Sequence, residues 1–351
     1  MSDLSFTPAT LEAFATDVLR AIGMAEVDAV PTARGLVVAN LHGVDSHGIA
    51  RLPQYVESLT VGDVNLTPYV TVEASGQAAT FVDANGGYGY RPSYLAIEAC
   101  ISNAEKSGIA IAAVSNSHHF GMASTYTREA AAKGQIAFAW TNASPKLTPP
   151  GGVQPVVGNN PLSWAIPRSG GSDPIVLDMA LSTVAFGKVR LARQEGRPIP
   201  LGWGLDRNGQ PTSDAEEAFQ SGLLDAVGGY KGYGLSIIAE ILAGVLTGSP
   251  FGKDGAPHGN GTGGVGHIFI TFRPDLFVSR ERFDADVDEL VNQIHGARMG
   301  REGDRALLPG EIESGNAARI TVSGISLSAV LFASLDKLAG GLSVAGLSAR
   351  S

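Results

Sequence analysis

A serine, a histidine and an arginine crowd together in Gly43-Val44-Asp45-Ser46-His47-Gly48-Ile49-Ala50-Arg51-Leu52. An imidazole that exchanges a proton near neutrality, beside a planar guanidinium fork, suits one kind of substrate. That substrate carries a carboxylate next to an oxidisable or reducible carbon. The helical run 27–41 should stop at Gly43, a residue fitted to the left-handed position after a helix. Ser46 then caps a second helix through Tyr55 to Leu59, which puts His47 and Arg51 four apart on one face. The bland alternative is a capped surface helix with a solvated His and Arg.

Other stretches offer chemistry of their own. Gly228-Gly229-Tyr230-Lys231-Gly232-Tyr233-Gly234 precedes an apolar helix over 235–247, so its amides and Lys231 could cradle a phosphate; a tight packing turn reads equally well. His118 and His119 follow an apolar strand over 109–114 and must point opposite ways, so at most one faces a given pocket. Asp178 ends a strand over 175–178, where it could orient a histidine, bind a ribose hydroxyl or cap the next turn. Gly87-x-Gly89 has Pro92 where a Rossmann fingerprint needs its third glycine, and Gly187-Lys188 lacks Walker A spacing. Seven histidines without a short His-x-His or His-x-x-x-His pair make a metal site unexpected. No Gly-x-Ser-x-Gly elbow appears, and Ser46 beside His47 is not a triad.

The elements that must hold these groups can be read more coarsely. The 351 residues suffice for about two domains. A net charge of −9 without a basic run speaks against nucleic acid and anionic membranes. Cys100 is the only cysteine, which excludes an intrachain disulfide and a thiolate zinc cluster. The first residues show no signal peptide and the apolar stretch 235–246 is too short for a bilayer, so a soluble, cytoplasmic chain is expected. The first sixty residues read as helical. Strands are expected at 70–72 and 79–83, a helix at 93–107, and a β-α-β unit over 109–141. Further strands fall at 162–166, 175–178 and 267–272, with helices at 284–297 and 327–338. Residues 187–228 look mixed and polar, and 308–311 reads as a turn. The glycine-dense stretch 249–266 reads as a mobile or closely packed loop, with a lid as one reading of it.

Six motifs stand in order: Asp45-Ser46-His47-Gly48-Ile49-x-Arg51, Asn116-Ser117-x-His119-Phe120-Gly121, Gly158-x-Asn160-Pro161, Asp178-Met179-Ala180-x-Ser182, Ala185-x-Gly187-Lys188 and Tyr230-Lys231-Gly232-x-Gly234-Leu235. Together they resemble the type 2 malate/L-lactate dehydrogenase family of NAD(P)-dependent 2-oxo-acid reductases, which also includes reductases of cyclic imino acids. The resemblance implies an α/β fold with a non-Rossmann nicotinamide-binding domain inserted between helical N- and C-terminal segments. The division would be 1–120 plus 285–351 for substrate and dimerisation, and 121–284 for NAD(H) or NADP(H). It implies a homodimer acting on a small carboxylate substrate.

By the same resemblance, Asn142, Ala143, Ser144, Asn160, Asp178, Met179, Ala180, Ser182, Lys188, Tyr230, Lys231, Gly310, Glu311 and Ile312 would line the cofactor. Relatives carrying Asn-Ser would have a serine at Ala143, so one hydroxyl contact is in doubt here. His47 is the first choice for proton donor and His119 the second; Arg51 would clamp the carboxylate and Ser46 fix substrate or imidazole. A 2-oxo acid is the main substrate reading and a cyclic imino acid the alternative. A hydrolase or lyase using the same His/Arg pair, or a non-catalytic binding protein, are the readings from other classes.

Overall fold

The computed structural model describes residues 4–254, 264–301 and 303–350. Residues 255–263, half of the stretch read above as a possible lid, lie outside the described residues. Strand β1 (Leu4–Phe6) leads into α1 (Pro8–Ala21), whose start is fixed by Thr7: its hydroxyl accepts the Thr10 N–H at 3.1 Å, and Pro8 needs no amide partner there. Leu11, Phe14, Val18 and Leu19 bury one stripe of α1 against α2 (Glu26–Leu41), which ends where Gly43 adopts φ +75°.

The next segment is not the continuous helix expected from Ser46. It consists of two 3-10 turns, Asp45–His47 and Ile49–Arg51, before α3 (Leu52–Thr60). Asn40 is the cause. Its carboxamide accepts the Ile49 N–H at 2.7 Å and donates to Asp45 at 2.5 Å, filling the space where a Cβ on residue 48 would lie. Gly48 is thereby held extended, which breaks any helix through it. Ser46 caps nothing, and His47 and Arg51 are brought together by turn geometry instead.

The central sheet has seven strands in the order β2-β3-β4-β12-β5-β8-β9. Their ranges are β2 (Thr71–Ala74), β3 (Ala79–Asp83), β4 (Ile109–Ser117), β5 (Ile136–Thr141), β8 (Leu162–Ile166), β9 (Ile175–Met179) and β12 (Val265–Phe272). Only β3 and β4 pair in parallel; all other neighbours are antiparallel. The expected β-α-β unit is therefore split. Strands β4 and β5 do flank α5 (Ser124–Ala132) in sequence, but β12 lies between them in the sheet. Its Phe/Ile-rich sequence fits a position buried on both faces.

Helix α4 (Tyr90–Ser107) and α5 cover one face, where Ile97, Cys100, Tyr126 and Phe269 are fully buried. The other face packs Phe138, Trp140, Leu162 and Ile268 against Ala239 and Leu242. These last belong to α8 (Tyr230–Ala239) and a π-helical turn, Glu240–Val245, so the helix starts inside the glycine-rich loop rather than after it. The stretch read as mixed and polar holds a compact lobe. Strands β6 (Pro145–Leu147) and β7 (Val157–Gly158), helix α6 (Phe186–Gln194), the β10–β11 pair (Gly204–Leu205, Pro211–Thr212) and α7 (Ala215–Ser221) surround Leu147, Val189, Ala218 and Leu224.

The C-terminal part adds α9 (Arg280–His295), α10 (Glu311–Ser323), β13 (Ile325–Leu327) and α11 (Ala329–Gly341). Strand β13 pairs with β1, and Leu335 and Ala339 share one core with Leu11 and Phe14. The sheet itself takes strands from both sides of residue 120.

Candidate active site

The strand directions gather the motifs. β4, β5 and β9 end, and β8 and β12 begin, at the same edge of the sheet. That edge presents His118-His119, Asn142, Asn160, Asp178 and His267, drawn from across the chain.

His119 is held most firmly. Its Nδ1 lies 3.3 Å from the Gly121 N–H, which can only donate, and 2.5 Å from the Tyr55 hydroxyl. In the neutral ring Nδ1 is therefore the acceptor, and the proton sits on Nε2. Tyr90 stands 3.1 Å behind Tyr55, wedged between two glycines: a Cβ on Gly35 or Gly121 would come within 2.2 and 2.6 Å of its ring. Burial pushes the Tyr55 phenol up to about 12, so it remains a donor at physiological pH.

His47 lies over His119 with ring centroids 5.4 Å apart, its Nδ1 3.0 Å from the Ser46 hydroxyl. Arg51 donates through Nε to the Ser46 carbonyl at 2.6 Å, and no carboxylate pairs with it among the described residues. A half-buried guanidinium without a counter-ion is a ready seat for a carboxylate. Burial, and then the Arg51 charge, bring His47 down to about 4 and hold His119 well below the usual histidine range. Both imidazoles are therefore neutral at pH 7.

His118 faces the other way, as adjacent histidines must, and its buried Nε2 has no hydrogen-bond partner. His267, fully buried, sits between the Thr141 and Ser117 hydroxyls at 2.7 and 2.9 Å and stacks on Phe120 at 4.3 Å. Burial lowers its pKa from 6.5 to about 3. Histidines 42, 47, 118 and 119 are lowered as well. Each binds a proton in the unfolded chain that it refuses in the folded one, so stability falls as pH drops below 6.5. At pH 5 His267 alone should cost about 2 kcal/mol. Urea midpoints measured at pH 7.5 and 5 check this, and equal midpoints would contradict it.

The residues expected around a cofactor fall into two groups. Asn142, Asn160 and Ser182 are buried and turned inward: Asn160 accepts the Ala143 N–H at 2.9 Å and Ser182 donates to the Val184 carbonyl at 2.8 Å. Asp178 accepts the Ser124 N–H at 2.7 Å, so it caps α5 rather than the turn after its own strand. Glu311 is engaged by His295 at 2.6 Å and by the Leu308 N–H at 3.2 Å. Gly310, at φ +88°, packs so tightly on Val176 that a Cβ would come within 2.8 Å of its carbonyl oxygen.

Ala143, Ser144, Met179 and Ala180 are half-exposed, while Lys188, Tyr230, Lys231 and Ile312 are exposed. Gly228 and Gly229 adopt φ +62° and +63° with open space beside them, and α8 begins there without a side-chain cap. Free amides at a helix start, with the Lys231 ammonium, are the donor set a dinucleotide pyrophosphate requires. These residues fit the group.

Four residues of this region escaped sequence reasoning as site residues: Tyr90, His267, Tyr55 and Glu240. The first two had a faint signal, in that glycines 35 and 121 mark close approach and a histidine inside an apolar strand must find buried partners.

Comparison with known proteins places the chain among oxidoreductases. Residues 6–336 match the family model described as malate/L-lactate dehydrogenase. The chain belongs to that family. It is 36% identical to the malate dehydrogenase of Pyrococcus abyssi over 308 residues, 86% of this chain and 84% of that protein. It is 37% identical to the (2R)-3-sulfolactate dehydrogenase (NADP(+)) of Chromohalobacter salexigens, over 85% and 87% of the two chains. The structure of delta1-piperideine-2-carboxylate reductase from Pseudomonas syringae superimposes with a TM-score of 0.87 at 32% identity, covering 95% of this chain and 99% of that one.

Proposed function

We propose that the protein reduces a small 2-oxo acid to the 2-hydroxy acid with NADH or NADPH, and catalyses the reverse oxidation. The observation that carries this is Arg51, a half-buried guanidinium without a carboxylate partner among the described residues, beside two stacked imidazoles. When bound, the reduced nicotinamide supplies a hydride equivalent. The chain's own groups do the rest. Arg51 takes the substrate carboxylate through its two free Nη atoms. When protonated, His119 gives its Nε2 proton to the 2-oxo oxygen and returns to the neutral ring, Nε2 being the nitrogen that Tyr55 and the Gly121 amide leave open. His47 and Ser46 hydrogen-bond the substrate from the opposite side. This order reverses the first choice made from sequence, since the His119 tautomer is fixed by an amide donor whereas the Ser46 hydroxyl can donate or accept.

Substrate binding also activates the donor. Burial is the larger cause of the depressed histidines, but a carboxylate on Arg51 offsets the second cause, so their pKa values rise. Lys231 and the first amides of α8 would hold the pyrophosphate, with Ala143, Ser144, Met179, Ala180, Lys188 and Ile312 along the dinucleotide. Residues 1–120 with 285–351 would form the substrate and dimerisation part, and 121–284 the cofactor part. A homodimer is supported by an exposed apolar stripe on α8 and its π turn: Leu235, Ile238, Ile241 and Val245 are each nearly half exposed.

A cyclic imino acid is the second reading, favoured by the likeness to the piperideine-2-carboxylate reductase. It carries the same carboxylate beside C=N instead of C=O. A panel of 2-oxo acids and cyclic imines, each tried with NADH and NADPH, separates the two. Loss of absorbance at the reduced-nicotinamide band with oxo acids supports the main reading. Turnover with imines alone replaces it, and no turnover with any member refutes both.

A further inference from the structure

Glu240 is a carboxylate buried to 5% exposure at the first residue of the π turn, and no cation pairs with it among the described residues. Instead it collects N–H donors. Asn160 Nδ2 donates at 2.7 Å, the Gly252 amide at 2.9 Å, the Gly158 amide at 3.4 Å and Asn142 Nδ2 at 3.5 Å. Those donors come from three separate segments: the turn after β5, the turn before β8, and the chain that follows the π turn.

We propose that Glu240 is a positioning residue for the dinucleotide, holding the Asn142-Ala143 and Gly158–Asn160 turns in the shape that receives it. The inference rests on the reading of the protein as a nicotinamide-dependent reductase. It starts from strain: Asn160 is fully buried at φ +26°, outside the comfortable regions for an L-residue. Three hydrogen bonds hold it there, and Gly158 leaves room for its side chain. Its Nδ2 donates to Glu240 and to the Ser236 carbonyl at 3.0 Å, its Oδ1 accepts the Ala143 amide, and that same oxygen would lie 2.3 Å from any Cβ on Gly158. Ser236, one turn before Glu240, closes the other side by donating to the Gly158 carbonyl at 2.6 Å.

Half-exposed Ala143 and Ser144 thus take their position from a buried anion behind them. Helix spacing makes this possible: Ser236 and Glu240, four residues apart, lie on one face and reach the same pair of strand-end loops. The negative charge matters as well as the shape. A glutamine would turn an NH2 group toward the amide donors and leave two of them facing a donor.

The test is Glu240→Gln, with dinucleotide affinity read from reduced-nicotinamide fluorescence and both Michaelis constants measured beside the melting temperature. The expected result is a dissociation constant for NADH or NADPH raised about tenfold, with KM for the carboxylate substrate within about twofold. Ser236→Ala, a gentler loosening of the same loops, should weaken dinucleotide binding about threefold and gives the answer if Glu240→Gln does not fold. A folded Glu240→Gln protein with unchanged dinucleotide affinity overturns the inference, whatever its melting temperature. So does a rise in the substrate KM equal to that for the dinucleotide. If the parent protein binds neither NADH nor NADPH, the reductase reading itself has failed, and the inference falls with it.

Discussion

His119→Ala is expected to lower kcat for reduction by roughly 10²–10⁴, the usual worth of a placed general acid. The claim follows from which nitrogen is free. An amide N–H cannot accept, so the Gly121 amide at 3.3 Å excludes a proton on Nδ1 of the neutral ring, and Tyr55 at 2.5 Å adds a second donor there. Nε2–H is left for the substrate. His47→Ala should act mainly on KM, because His47 holds substrate and stacks on His119 without giving the proton. Steady-state kinetics of the two variants decide it. A hundredfold loss in kcat for His47→Ala with His119→Ala near normal would return the role to His47.

Removing Arg51 should cost about as much by a different route. A buried, hydrogen-bonded charge pair deprived of one partner loses about 2–5 kcal/mol, so Arg51→Gln should reduce kcat/KM by about 10²–10³, mostly through KM. A second effect separates this from simple damage. Arg51 depresses both His47 and His119, so its removal lets their pKa values rise in the free enzyme. The alkaline limb of the kcat/KM profile for reduction, above which the acid has lost its proton, should then move to higher pH. Arg51→Lys keeps the charge and loses the fork: it should bind substrate poorly while leaving that limb in place. A profile that does not move in Arg51→Gln would remove Arg51 from the histidines' surroundings.

The residues proposed to touch substrate stand out in the sequence; what holds them does not. His47, Arg51 and His119 stood out because few residue types do acid–base work or grip carboxylates. The helix expected from Ser46 failed because Asn40 reaches across to Ile49, a contact between residues nine apart that no capping pattern describes. Strand β12 was visible as a strand, yet nothing in its alternation says that it inserts between β4 and β5. Only the packing brings the hydroxyls of Tyr55 and Tyr90 into line with His119. Glu240, on an apolar helix, gave no sign that four donors from distant loops converge on it.

The place of β12 has a further consequence, for how the chain acquires this shape. On a ribosome β4 and β5 emerge early, but the strand that joins them follows only after the whole compact lobe and α8 have been made. Until then each carries an open edge of unpaired amides and carbonyls, the kind of surface that templates aggregation. Sheet closure waits on contacts far apart in sequence, and such contacts fold slowly. The histidines at the strand ends share that wait. His119 lies just past the end of β4, on one side of the gap, and His267 arrives with the strand that fills it, so closing the sheet also brings these two histidines to one edge.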